Sequence, residues 1–379
     1  MATMVELSVD TMAKLQKYDF QVTAMDTPPT TPVIKSLPII DISAFLDPTA
    51  SSQARQATAV SINSACQDFG FFYLTGHGIS KTKLDQIVDL SRQFFALPVS
   101  EKNKIKRHDA GGPEGGDGAR GYQGMRENIT LGRRDVQEAI DIYREWDHAP
   151  KEDGRGGPGT HRVLQGPNIW PTEPKEYKEV YLDYISQCQK VGEALVRAMG
   201  VALNLGPPTP NADQTTEDEE IFVRNTDHSF WVMRMIGYPK LDTPLAEDTS
   251  DITEFSCGEH TDYGCVTLLL ADPTPGALQV LLKDGSTWLN ADPIPGAFVV
   301  NIGDMIERWT NGIWKSNRHR VIHRGNGYRV SVPFFYEPNF NAMVKPLGKC
   351  VERTGGVPVH EGNTYGEHLL GKVFNNFYN

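Results

Sequence analysis

A basic surplus is the first thing this chain lacks. Its 379 residues include 37 Lys and Arg against 48 Asp and Glu, for a net charge of −11. Nucleic acids and anionic membranes need a basic face, so neither is an expected partner. Cysteine is also sparse. Cys66, Cys188, Cys257, Cys265 and Cys350 are odd in number and scattered, and no CxxC pair occurs. That pattern argues against a zinc finger or a disulfide framework and for free thiols in a reducing compartment. No apolar run approaches the ~18 residues needed to span a bilayer. The opening Met1-Ala-Thr-Met-Val-Glu-Leu has no basic segment leading into an apolar one. The ending Asn375-Asn-Phe-Tyr-Asn379 carries no retention or peroxisomal signal, so the cytosol is the expected compartment. The glycine-rich stretch Asp109 to Gly118 lacks the Lys-Ser/Thr of a phosphate loop and reads as flexible loop.

Apolar material is ample, at 39% of residues with a mean hydropathy of −0.40, which describes a soluble globular chain. Residues 1–36 read as an N-terminal extension containing the Pro/Thr cluster Thr27 to Pro32, with one short helix near Val9 to Leu15. Residues 37–205 are helix-rich. Apolar positions at helical spacing predict helices over Ser52–Asp68, Lys81–Leu97 and Pro174–Leu205, and strands at Leu37–Ile42 and Gly70–Thr75 flank the first of these. Residues 222–345 are β-rich. Short strands are predicted at Phe230–Ile236, Val266–Leu270, Leu278–Leu282, Ala297–Asn301, His319–Ile322 and Tyr328–Tyr336, suggesting a sandwich or barrel. A C-terminal segment, 346–379, follows.

Chemistry concentrates around Gly258-Glu-His-Thr-Asp262, just before the run Cys265 to Leu270. If this stretch is a strand, residues i and i+2 share a face, so His260 and Asp262 point the same way. An imidazole and a carboxylate side by side are two ligands for a divalent transition metal. His319 is the candidate third ligand, far enough along the chain for intervening strands to return beside the first. Two histidines and one carboxylate leave three coordination positions open, an arrangement that suits non-haem Fe(II). Arg329 and Ser331 are again i and i+2, and they offer a guanidinium fork and a hydroxyl to a carboxylate. His323 would lie more than ~10 Å beyond His319 along a strand, so it reads as a hydrogen-bonding residue. His77, alone between two glycines, reads the same way. Phe334, Phe335, Phe230 and Trp231 read as core.

The run His260-Thr-Asp262, His319-Arg-Val321 and Arg329-Val-Ser331, followed by Phe334-Phe-Tyr-Glu-Pro-Asn339, resembles the 2-oxoglutarate and Fe(II)-dependent dioxygenases of the isopenicillin N synthase-like group. Leu37-Pro-Ile-Ile-Asp41, Cys66-Gln-Asp-Phe-Gly-Phe-Phe72, Asn168-Ile-Trp-Pro171 and Asn301-Ile-Gly-Asp-Met-Ile306 extend the resemblance over most of the chain from Leu37. It implies a mainly β fold with flanking helices and a double-stranded β-helix (jelly-roll) core. It also implies His260, Asp262 and His319 as iron ligands and catalytic residues, with Arg329, Ser331 and Tyr238 contacting 2-oxoglutarate. Two residues before that tyrosine, where many relatives carry asparagine, this chain has Ile236. The implied cofactors are Fe(II) and 2-oxoglutarate as co-substrate, with ascorbate as a reductant, and the implied partners are O2 and a small-molecule substrate. An oxidase of the same fold that does not consume 2-oxoglutarate, a non-catalytic jelly-roll binding protein and a zinc hydrolase remain open alternatives.

Overall fold

Strands buried on both faces build two facing sheets in the β-rich half. In the computed structural model, which describes residues 36–145, 163–242 and 254–377, the strands in chain order are β1 Ile39–Asp41, β2 Phe71–Thr75, β3 Gly121–Gln123, β4 Ile129–Thr130, β5 Arg133–Arg134, β6 Glu138–Tyr143, β7 Val232–Tyr238, β8 Cys257–His260, β9 Val266–Ala271, β10 Leu278–Leu281, β11 Trp288–Asn290, β12 Phe298–Ile302, β13 His319–Val321 and β14 Arg329–Tyr336. The large sheet runs β1-β2-β12-β9-β14-β7-β6-β3 and the small one β11-β10-β13-β8. Strands from the helix-rich half thus complete the large sheet, and Ser36–Asn379 forms one compact unit. The expected N-terminal extension with its short helix lies outside the described residues, as does most of the Gly/Pro-rich segment after Pro150.

The period-2 pattern decides what each face of the large sheet meets. Leu268, Leu270, Val300, Val330, Val332 and Phe334 pack on the helical side. There lie α1 (Ser52–Asp68), α2 (Lys81–Phe95) and α3 (Tyr177–Ala202). Ser51 and Ser80 cap the first two, accepting from Ala54 N and Lys83 N, and α3 buries Tyr181, Tyr184, Cys188, Val191 and Leu195. Each such buried apolar side chain contributes about 1.5–3 kcal/mol. The other face turns toward the small sheet, where Ile236, Tyr238 and Val299 meet Leu278, Val280 and Val321.

The predicted helices and strands recur within a few residues at their ends. Among the elements without a counterpart in the sequence reading, four bear on the site: β6, β8, α4 (Asp304–Trp309) and α5 (Tyr365–Phe377). In β6 every residue is buried, including Glu138, Asp141 and Tyr143, so the strand shows no polar alternation. Its Glu138 is stabilised by donors from elsewhere in the chain, Lys102 Nζ at 2.6 Å and the hydroxyls of Tyr122 and Tyr328. The five cysteines are unpaired, and among the described residues no helix is long and apolar enough to cross a membrane.

Candidate active site

One expectation about the His-x-Asp stretch needs correction. His260 and Asp262 do not share a strand. β8 ends at His260, and Asp262 belongs to the loop 261–265 that crosses from the small sheet to β9 in the large one. The loop is pinned at the start of α4. Gly303 N, Asp304 N and Met305 N donate to the carbonyls of Cys265, Asp262 and Gly264 at 2.8–2.9 Å, using amides that the first helical turn leaves free. Convergence therefore comes from loop anchoring and from register, since His319 on β13 pairs directly with His260 on β8.

The three side chains meet at one point. Their ligand atoms lie within 4.8 Å of one another. Asp262 Oδ1 is 3.8 Å from His260 Nε2 and 3.6 Å from His319 Nε2. Each imidazole turns its other nitrogen to a backbone carbonyl, His260 Nδ1 to Gly258 at 2.8 Å and His319 Nδ1 to Asn317 at 3.3 Å. Those contacts fix the rings and turn both Nε2 atoms toward Asp262, the orientation metal-binding histidines require. Asp262 Oδ2 accepts from Thr267 Oγ1 and from Asn301 Nδ2 at 2.6 Å, which leaves Oδ1 for an ion. The donor set, two imidazoles and one carboxylate facing a cavity, fits Fe(II).

Electrostatics points the same way. Burial, then the neighbouring His260, pushes the His319 imidazole down to about 4. For His260 burial also opposes protonation but is outweighed by Cys257 and then Asp262, which together raise it to about 10. With ring centroids 4.2 Å apart, the two imidazoles together take up at most one proton beyond their neutral forms. A divalent cation would supply the positive charge that this buried cluster can take only partly from protons.

Arg329 and Ser331 do share a face of β14, and their register partners on β7 are Tyr238 and Ile236. Arg329 is 2% exposed, and its Nε and Nη1 reach no hydrogen-bond acceptor. Its guanidinium lies 5.0 Å from the Tyr238 ring centroid, and burial holds its pKa below the usual arginine value. A buried guanidinium with unfilled donors is a receptor for an anion, so the distal carboxylate of 2-oxoglutarate fits here. His323 stands apart from this cluster, with Nε2 bonded to the Gly327 carbonyl at 3.0 Å. His77 is likewise a loop residue, its Nε2 donating to the Gly296 carbonyl at 2.9 Å.

Beside the triad opens a cavity of about 410 Å³. Phe335 and Ile236 form part of its apolar wall, and Asp141, Glu337, Arg234 and Lys372 supply charge. Phe335 is thus a cavity residue rather than core, whereas Phe334 and Phe230 are buried as expected. The β4–β5 hairpin borders the cavity on one side, and α5 contributes Tyr365, Leu369, Lys372 and Val373. Sequence reasoning assigned no role to Thr267, Asn301 or Glu337. Asn301 and Glu337 stood within motifs already quoted, and for Asn301 a polar residue inside an apolar strand was the available signal.

With this geometry in view, residues 37–173 match the model described as non-haem dioxygenase in morphine synthesis N-terminal, and residues 229–338 match the 2OG-Fe(II) oxygenase superfamily. The chain belongs to the 2OG-Fe(II) oxygenase superfamily. Every residue of the triad and of the Arg329 cluster falls within the second match. Homoarginine-6-hydroxylase 2-ODD-C23.1 of Arabidopsis thaliana is 42% identical to this oxygenase over 352 residues, covering 90% of this chain and 98% of the relative. Homoarginine-6-hydroxylase 2-ODD-233 of Oryza sativa subsp. japonica is 41% identical over 348 residues, with the same coverage. Among solved structures, a full-length Neurospora crassa protein crystallised in complex with alpha-KG superposes with a TM-score of 0.71 at 26% identity, covering 92% of this chain and 99% of that one. The cofactors of this oxygenase are therefore Fe(II) and 2-oxoglutarate, and it oxidises a small molecule with O2, releasing succinate and CO2.

Proposed function

We propose that this oxygenase hydroxylates a free amino acid bearing a guanidino side chain, of the homoarginine type. The observation that carries the reading is identity above 40% to homoarginine-6-hydroxylases, extending over 98% of their length. A cavity lined by both carboxylates and cations suits a substrate that is a zwitterion at one end and a cation at the other.

In this reading His260, Asp262 and His319 hold the iron, and Thr267 and Asn301 fix the Asp262 carboxylate so that one oxygen faces it. Arg329 holds the distal carboxylate of 2-oxoglutarate, with Ser331 and Tyr238 alongside. Bound Fe(II) with 2-oxoglutarate supplies the oxidising power, one oxygen atom of O2 going to the substrate and the other to succinate. Ile236 and Phe335 present an apolar wall that keeps water from the reacting carbon, and α5 with the β4–β5 hairpin borders the site. The protein works in the cytosol, in keeping with its unpaired thiols, and imaging of a tagged chain tests that placement.

The deciding assay incubates the protein with L-homoarginine, 2-oxoglutarate, Fe(II), ascorbate and air, and follows succinate together with product mass. Substrate-dependent succinate and a product heavier by one oxygen are expected. Succinate no higher than in the substrate-free control would overturn the guanidino-substrate reading.

A further inference from the structure

Besides Asp262, three carboxylates in the cavity wall differ in what neutralises them. Asp141 faces Arg234 across the β6–β7 pairing, 3.5 Å from its Nη1. Glu259 accepts from Arg320 Nη1 at 3.2 Å. Glu337 is 4% exposed, and its Oε2 reaches no hydrogen-bond donor. Among the described residues no cationic side chain forms an ion pair with it. Burial disfavours its charge, and a cation placed beside it would offset that cost. A carboxylate taken out of water without a counter-charge costs several kcal/mol in general, so such a group is kept where a ligand completes it.

Its position is as specific as its lack of a counter-charge, since its other hydrogen-bond partners are the neutral Tyr365 hydroxyl and the Cys265 amide. Glu337 follows directly on β14, and its carboxylate lies against Gly264, where a Cβ would overlap Oε2. A larger residue there would have to displace the carboxylate. Gly264 sits two residues after Asp262 in the loop pinned to α4, which places the carboxylate on the triad's side of the cavity.

We infer that Glu337 is the specificity-determining residue that receives the cationic end of the substrate and thereby sets which carbon is oxidised. The inference rests on the guanidino-substrate reading and deepens it. A guanidinium paired to Glu337 brings the carbon that bears it to the open face of the triad, so oxidation falls next to the cation. The zwitterionic head then extends toward Arg234 and Asp141, which present a guanidinium and a carboxylate side by side.

The test compares each cation with a neutral analogue of the same shape: L-homoarginine with L-homocitrulline, and L-lysine with L-2-aminoheptanoic acid. Binding is read without oxygen, as the change each compound causes in the visible absorption of the Fe(II)–2-oxoglutarate complex. The wild type is expected to prefer the cation of a pair by about 30-fold, the range of a charge-assisted hydrogen bond to a buried ion. Glu337→Gln should bring that preference within about threefold while leaving the absorption of the complex itself intact. Glu337→Asp, which keeps the charge, should keep the preference with weaker binding. A Gln variant as selective as wild type overturns the inference, and so does an Asp variant that loses selectivity as the Gln variant does. Wild type preferring lysine but ignoring homoarginine would sink the guanidino substrate and leave the role of Glu337 standing. Wild type accepting only the neutral compounds would sink both.

Discussion

Asp262 shows how much of a metal ligand's behaviour is set by residues that never touch the ion. Thr267 and Asn301 occupy one carboxylate oxygen, so the other is presented in a single orientation. Replacing Asn301 with Ala leaves that oxygen underbonded and free to rotate. Iron affinity should fall about 10–100-fold, measured by Fe(II) titration of the apoprotein, and the melting temperature should fall by a few degrees because a buried carboxylate loses a donor. Arg329 acts on the co-substrate instead. Arg329→Lys replaces a buried fork by a point charge, so the KM for 2-oxoglutarate should rise at least about tenfold while iron binding persists. Succinate kinetics and metal titration on one variant separate the two effects. Both positions were visible in the sequence to different degrees. Arg329 and Ser331 were legible because period 2 alone puts them on one face, whereas the duty of Asn301 depends on β12 lying beside β9, which no local pattern states.

At the scale of elements, turns carry constraints of their own. His77 follows β2, and its neutral ring is used at both nitrogens. Nε2 donates to Gly296 O, and Nδ1 accepts from Ile79 N at 3.2 Å. Burial lowers its pKa below the ordinary 6.5. A depressed histidine binds fewer protons folded than unfolded, so its contribution to stability is present above about pH 6.5 and is lost as pH falls toward the folded value. The melting temperature should therefore drop between about pH 7 and 5, with a slope of at most ~1.4 kcal/mol per pH unit from this one group. His77→Gln should flatten that limb in calorimetric scans across the range. The long helices were readable for a related reason: their apolar stripes repeat every 3.6 residues. α4 was not readable, because its six residues are too few to show a period, and β8 is hidden by its own chemistry, Cys257-Gly-Glu-His260 lacking any β-branched residue.

For the whole molecule, the site is a seam between two sheets. His260 and His319 come from the small sheet, Arg329 and Ser331 from the large one, and Asp262 from the loop that joins them. A ligand bound across such a seam stabilises the folded state alone. Saturating Mn(II) with 2-oxoglutarate, at about 100 times its dissociation constant, should add about 2.7 kcal/mol and raise the melting temperature by several degrees in a thermal-shift assay. His260→Ala should abolish the metal-dependent part. A rise as large in the variant would mean that the ion binds elsewhere.

The amino-acid sequence by itself determined the strands and helices with clear periodicity, the identity of the three candidate ligands, and the pairing of Arg329 with Ser331. Each of these depends on residues a few positions apart or on residue types in a fixed order. Only the tertiary structure decided that Asp262 sits in a loop held by the amides of α4, that Asn301 and Thr267 orient it, and that Phe335 faces the cavity while Phe334 does not. It also decided that Glu337 is buried without a cation. These facts depend on which strands become neighbours and on what lies across from each side chain, and the pairing of β12 with β9 or β13 with β8 is fixed by packing the whole core at once rather than by any stretch within it.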